Sequence, residues 1–147
     1  MVPMENYYYQ ISKQEREAIR HQIATNLQKR PEILFAFIHG SFLTDRRFRD
    51  IDIALFLKPI SVSSLRYELE IEAQMTRLVK NIPPEIRVLN QAPLAFRYAV
   101  IKQGELLFSK KDEVKSNFIE KTINDYLDFA PFHHRYLKEA LAHAIRP

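Results

Sequence analysis

The chain has 147 residues, 46% of them hydrophobic and 27% charged, which suits one globular domain spanning residues 1–147 with a core of its own. No apolar run approaches the ~20 residues needed to span a bilayer, MVPMENYYYQ lacks the charged-then-apolar layout of a secretion signal, and the absence of cysteine excludes disulfides and thiolate metal sites. A cytoplasmic protein is expected. The net charge of +4 suits a phosphate-bearing ligand or an acidic partner, but without a clustered basic face it does not argue for direct nucleic-acid binding.

Residues 1–10 read as an arm in which Tyr7, Tyr8 and Tyr9 pack back on the domain or meet a partner. Ser12 and Glu15 have the spacing of a capping box, and the helix behind them carries Ile19, Ile23 and Leu27 on one face before Arg30-Pro31 ends it. Ile33–His39 is an almost unbroken apolar strand. Gly40-Ser41 is a tight turn, FLTDRRFR is a basic loop with room for one helical turn, and Ile51–Leu57 is a second apolar strand. Serines 61, 63 and 64 offer caps for a helix over 62–80, with Leu65, Leu69, Ile71, Met75, Leu78 and Val79 as its apolar stripe.

After Asn81-Ile82-Pro83-Pro84, EIRVL alternates polar and apolar and reads as a strand with one wet face. Pro93 suits the first position of a helix that Gly104 stops, and Leu106–Phe108 is a short fourth strand. Residues 111–147 form a C-terminal helical region, interrupted at Pro131, with Tyr136, Leu137, Ala140, Leu141, Ala144 and Ile145 on one stripe. The expected fold class is α+β: a small mixed sheet flanked by helices.

The chemistry lies where the first two strands meet. In a strand, side chains alternate faces, so Asp50 and Asp52 project together while Ile51 enters the core. Two adjacent carboxylates repel unless a cation joins them, and carboxylate oxygens are the ligands Mg²⁺ favours. Gly40 lets the backbone approach a phosphate, and Ser41 adds a hydroxyl and an N–H. Glu85, opening the next strand, is the candidate third carboxylate of a two-metal site. Arg87 shares its face and could pair with Glu85 or a phosphate. Arg46, Arg47 and Arg49 either hold nucleotide phosphates or an acidic partner, or form a solvated basic loop. His39 borders the site as a polar wall residue. His21, His133, His134 and His143 read as background, and no histidines have metal-ligand spacing.

HGSFLTDRRFRDIDIALF resembles the G-S…D-x-D signature of the DNA polymerase β-like nucleotidyltransferase superfamily, and the chain's size resembles that of its minimal members. EIRVLNQAPLAFRYAVIKQGELLFSKKD resembles the family's continuation: an acid opening a strand, an L-N-x-A-P turn, then a helix leading to G-x-L-L. Two features depart from the usual pattern: the spacer between Ser41 and Asp50 is short, and the third acid is Glu rather than Asp. The resemblance implies a nucleotidyltransferase fold, triphosphate binding at Gly40 and Ser41 with Arg46 and Arg47 nearby, two Mg²⁺ ions at Asp50, Asp52 and Glu85, and ATP as substrate. Minimal members resemble the antitoxin half of a toxin–antitoxin module, which transfers AMP to a tyrosine hydroxyl of a HEPN-domain RNase toxin. A hetero-oligomer with that toxin is therefore expected. Two alternatives stay open: an antitoxin that neutralises by contact alone, and a nucleotidyltransferase acting on a small molecule, for which the chain leaves no substrate domain.

Overall fold

The structure, a computed structural model, describes residues 8–44 and 47–145, and their side chains except those of 133, 134 and 143–145. Its elements follow one another as α1 (Lys13–Gln28), β1 (Ile33–His39), α2 (Ser41–Thr44), β2 (Ile51–Leu57), α3 (Ser64–Leu78), β3 (Pro84–Val88), α4 (Leu94–Gln103), β4 (Glu105–Ser109) and α5 (Asp112–Ile145). This is the expected α+β class. No helix among the described residues is long and apolar enough to cross a membrane.

The four strands form one sheet in the order β3-β2-β1-β4. β1 pairs antiparallel with β2 and β4, whereas β2 and β3 run parallel and are joined through α3. Strand parity sorts the core into two layers. On one face, Ile51, Ile53, Leu55 and Leu57 of β2 and Ile86 and Val88 of β3 pack with Ile23 and Leu27 of α1 and Tyr67, Ile71 and Met75 of α3. On the other face, Phe35 and Phe37 of β1 and Ala54 of β2 meet Val100 of α4 and Phe118 of α5. Within this layer, Phe35 stacks on Phe56 at 4.8 Å between ring centroids. Burial on both faces explains why β1 and β2 are nearly continuous apolar runs.

The ends of α1 and α3 are closed by their own side chains. Ser12 Oγ accepts the Glu15 N–H at 3.1 Å, and Glu15 Oε1 accepts the Ser12 N–H at 3.4 Å, completing the capping box. Ser63 Oγ accepts the Arg66 N–H at 3.1 Å. Pro93 stands just outside α4, one position earlier than expected. Two bonds fasten the β3 region. Glu68 Oε2 accepts the Val88 N–H at 2.7 Å, and Asn90 exchanges two bonds with the backbone of Leu57, at 2.9 and 2.8 Å.

Two expectations are corrected. In α3, Ile71 and Met75 face inward as expected and Tyr67 joins them, while Leu65 and Leu69 of the expected stripe are exposed. Both sets have helical spacing, and only the sheet's position decides which is covered. The helical region is not interrupted at Pro131: α5 runs through it. Proline removes one N–H, but neighbouring Leu127, Phe129 and Phe132 are exposed, so water can satisfy the carbonyl left without a partner. In the arm, Tyr9 packs as expected, paired by backbone bonds of 2.7 and 3.1 Å to Phe48, whereas Tyr8 is exposed against Arg49; Tyr7 lies outside the described residues.

Candidate active site

The sheet's α4/α5 face continues past the edge of its apolar layer, and there it turns polar. Asp52 follows the parity of Ala54, His39 that of Phe35 and Phe37, and Glu85 and Arg87 point away from the layer holding Ile86 and Val88. Pairing sets them in a row, with His39 opposite Asp52 across β1–β2 and Asp52 opposite Glu85 across β2–β3. Asp50 stands one residue before β2.

Asp50, Asp52 and Glu85 each offer a carboxylate oxygen within 4.8 Å of the others. The Glu85 side chain therefore reaches the aspartate pair. Burial pushes the Asp52 carboxyl up to about 7; a hydrogen bond with Glu85 and the charges of Asp50 and Glu85 push the same way. Asp52 Oδ1 is buried without a hydrogen-bond partner, and none of the three acids forms an ion pair with a described residue. An all-oxygen donor set with one buried acceptor atom unmet fits a hard divalent cation such as Mg²⁺.

Gly40 closes the other side. Its φ is +80°, and a Cβ there would fall 2.1 Å from Asp52 Oδ2. Glycine is thus required twice, for the left-handed backbone and for the carboxylate's room. Ser41 opens α2, which is a single turn whose Leu43 N–H bonds the Gly40 carbonyl at 3.1 Å. Arg47 is exposed beyond this turn, and Arg46 lies outside the described residues.

Three side chains complete the wall. His39, Asp52, Glu85, Arg87 and Phe96 line a cavity of about 230 Å³. The His39 ring meets Phe96 edge-on at 5.6 Å, and its Nε2 is buried without a partner. Burial, with Arg87 nearby, holds the imidazole below its usual pKa in spite of Glu85, so it is neutral at pH 7. Arg87 forms no ion pair with Glu85; its guanidinium lies 5.4 Å from the Phe96 ring centre. Sequence reasoning gave Phe96 no role, because α4 is apolar on several faces and spacing alone does not single it out. Its position shortly after the turn that follows β3 was the available signal.

Comparison with known proteins adds the following. The family described as "Polymerase beta, Nucleotidyltransferase" matches residues 21–113. No curated protein matches the chain. Among solved structures, the fold is similar to a chain of tri-AMPylated Shewanella oneidensis HEPN toxin in complex with MNT antitoxin, at TM-score 0.69 and 17% identity, covering 86% of this chain and 98% of that one. It is likewise similar to a chain of the toxin–antitoxin MntA-HepT (TM-score 0.68, 17% identity, 85% and 98% covered). A toxin–antitoxin structure with AMP-PNP gives TM-score 0.70 at 18% identity, covering 83% and 98%. The family match spans well over half of the sequence and contains the Gly40-Ser41 turn, both aspartates and Glu85, so the chain belongs to the polymerase β nucleotidyltransferase family.

Proposed function

We propose that the protein is a Mg²⁺-dependent protein adenylyltransferase, one nucleotidyltransferase domain working in the cytoplasm, that transfers AMP from ATP to a tyrosine hydroxyl of a HEPN-domain RNase and so acts as its antitoxin. The observation that carries this reading is the convergence of Asp50, Asp52 and Glu85 within 4.8 Å beside a glycine that touches Asp52. The fold's likeness to a chain from a tri-AMPylated HEPN toxin in complex with MNT antitoxin supports the choice of a HEPN acceptor, and its likeness to a chain from a toxin–antitoxin structure with AMP-PNP supports an adenine nucleotide.

In this reaction the acceptor oxygen attacks the α-phosphorus of ATP, the bond to the β-phosphate oxygen breaks, and pyrophosphate leaves in line. Gly40 and Ser41 seat the triphosphate through backbone N–H groups and the serine hydroxyl, with Arg46 and Arg47 as added cations. Glu85, on the open side of the row, takes the acceptor's proton. Asp50, Asp52 and Glu85 would hold the Mg²⁺ pair, which supplies charge neutralisation at the phosphates when bound.

The decisive test incubates the protein with labelled ATP, Mg²⁺ and the product of the adjacent gene. Label should move to that product, and Asp50→Ala or Asp52→Ala should stop it. A second reading, neutralisation by contact, is favoured by one observation: Leu127, Phe132, Tyr136 and Leu141 of α5 are exposed apolar side chains with no cover. Neutralisation that persists in Asp52→Ala without label transfer would select it.

A further inference from the structure

We propose that the cavity between Phe96, Arg87 and His39 is the acceptor pocket, built to receive the aromatic ring of a tyrosine and to discriminate against aliphatic hydroxyls. This deepens the adenylyltransferase reading and rests on it.

Position argues first. The cavity shares Asp52 and Glu85 with the acid cluster, but Gly40, Ser41 and Asp50 do not line it. It therefore opens on the side of the acids away from the turn assigned to the triphosphate. Size argues next. At about 230 Å³ it is smaller than the ~300–1,000 Å³ of sites that enclose drug-sized ligands. One side chain fits it better than a whole nucleotide.

Chemistry then selects the side chain. Phe96 offers a ring surface, Arg87 a guanidinium 5.4 Å from that ring's centre, and His39 a ring set edge-on with its centre 5.6 Å from that of Phe96. A second aromatic ring entering here gains offset or edge-to-face contact with Phe96 and cation–π contact with Arg87; a serine or threonine side chain gains neither. The phenol oxygen then lies toward Glu85, which takes its proton as the oxygen bonds to the α-phosphorus and pyrophosphate departs.

A second cavity of about 280 Å³ shares Arg87 and Phe96 as its wall and continues along Ser64, Glu68, Gln91 and Pro93. The acceptor enters as an extended peptide whose neighbouring residues occupy this groove, with the Arg87–Phe96 pair between tyrosine and flank.

The test is steady-state adenylyl transfer to the acceptor protein with acceptor and ATP varied independently, comparing wild type with Phe96→Leu and Arg87→Ala. Leucine keeps apolar packing at 96 and Arg87 is exposed; melting curves check that each variant folds, and Arg87→Ala decides alone if Phe96→Leu does not. Either variant should raise the KM for acceptor roughly tenfold and leave the KM for ATP within about twofold. On an acceptor whose modified tyrosine, mapped by mass spectrometry, is changed to serine, wild type should lose efficiency and Phe96→Leu should lose little more. An unchanged acceptor KM overturns the pocket, and a raised KM for ATP overturns it in favour of adenine. If wild type labels no acceptor at all, the adenylyltransferase reading falls and takes the pocket with it; if wild type labels normally and the variants match it, the pocket falls alone.

Discussion

Replacing Asp52 by asparagine should make the metal-free protein more stable while abolishing its activity. The carboxyl of Asp52 is raised from the ordinary 3.8 to about 7 in the folded chain. A folded-state value above the unfolded one means that the folded protein binds more protons over this interval. Stability is therefore full below pH ~4, falls as pH rises, and levels off above pH ~7. At 1.36 kcal/mol per unit the nominal penalty at pH 8 is about 4 kcal/mol, and because the carboxyl is only half-buried, solvent screening reduces this to about 2 kcal/mol. Asparagine keeps the shape and drops the charge. In EDTA at pH 8, Asp52→Asn should melt ~4–8 °C above wild type, at ~2–4 °C per kcal/mol, and the gap should close toward pH 4. Mg²⁺ at a hundred times its Kd should stabilise the wild type by about 2.7 kcal/mol, raising its melting temperature, and leave the variant nearly unmoved. Differential scanning calorimetry across pH, with and without Mg²⁺, makes the measurement. A variant that melts below wild type at pH 8 in EDTA, or an equal response of both to Mg²⁺, would refute the account of a charge cluster awaiting a cation.

Other perturbations test other parts of the structure. Gly40→Ala drives a methyl into the space of Asp52 Oδ2, 2.1 Å from the ideal Cβ, in a left-handed backbone. Adenylyl transfer should fall by about a hundredfold or more, as for a misplacement of ~1 Å at a reacting centre, with ~1–3 kcal/mol lost from stability; transfer within tenfold of wild type would contradict the contact. Asn90→Ala removes both bonds to the Leu57 backbone and should lower stability by about 1–3 kcal/mol, read from the urea midpoint at constant slope. Phe132→Ser with Leu141→Ser changes exposed positions on α5, so stability should stay within ~0.5 kcal/mol of wild type while affinity for the proposed toxin partner drops in calorimetric titration. Unchanged affinity would remove α5 from the proposed interface.

The strands were legible before the structure because burial on two faces leaves little freedom: β1 and β2 are written almost wholly in Ile, Leu, Phe and Ala, and Asp50 and Asp52 interrupt that pattern where a core residue is expected. Glu85 was legible for a related reason, since EIRVL alternates and β3 turns its odd-numbered residues away from Ile86 and Val88. Less was visible in the helices. Leu65 and Leu69 share helical spacing with each other, as Tyr67, Ile71 and Met75 do, and the choice between the faces belongs to the sheet. The run of α5 through Pro131 depends on a solvent-facing turn tolerating a lost bond, which no local pattern announces. Phe96 was given no role and His39 only that of a border residue because what joins them, a cavity closed by Arg87, is made from β1, β2, β3 and α4 together.

The pairing of Asp52 with Glu85 ties the site to folding fidelity. Were β3 to slide by a single position against β2, Ile86 would turn outward and Glu85 would face the apolar layer of α1 and α3, so the row of acids and the core would be lost together. A misaligned chain is thus also an unstable one, open to proteolytic clearance. The copies surviving such clearance are those with an intact row of acids, so abundance would track competence without a separate checkpoint.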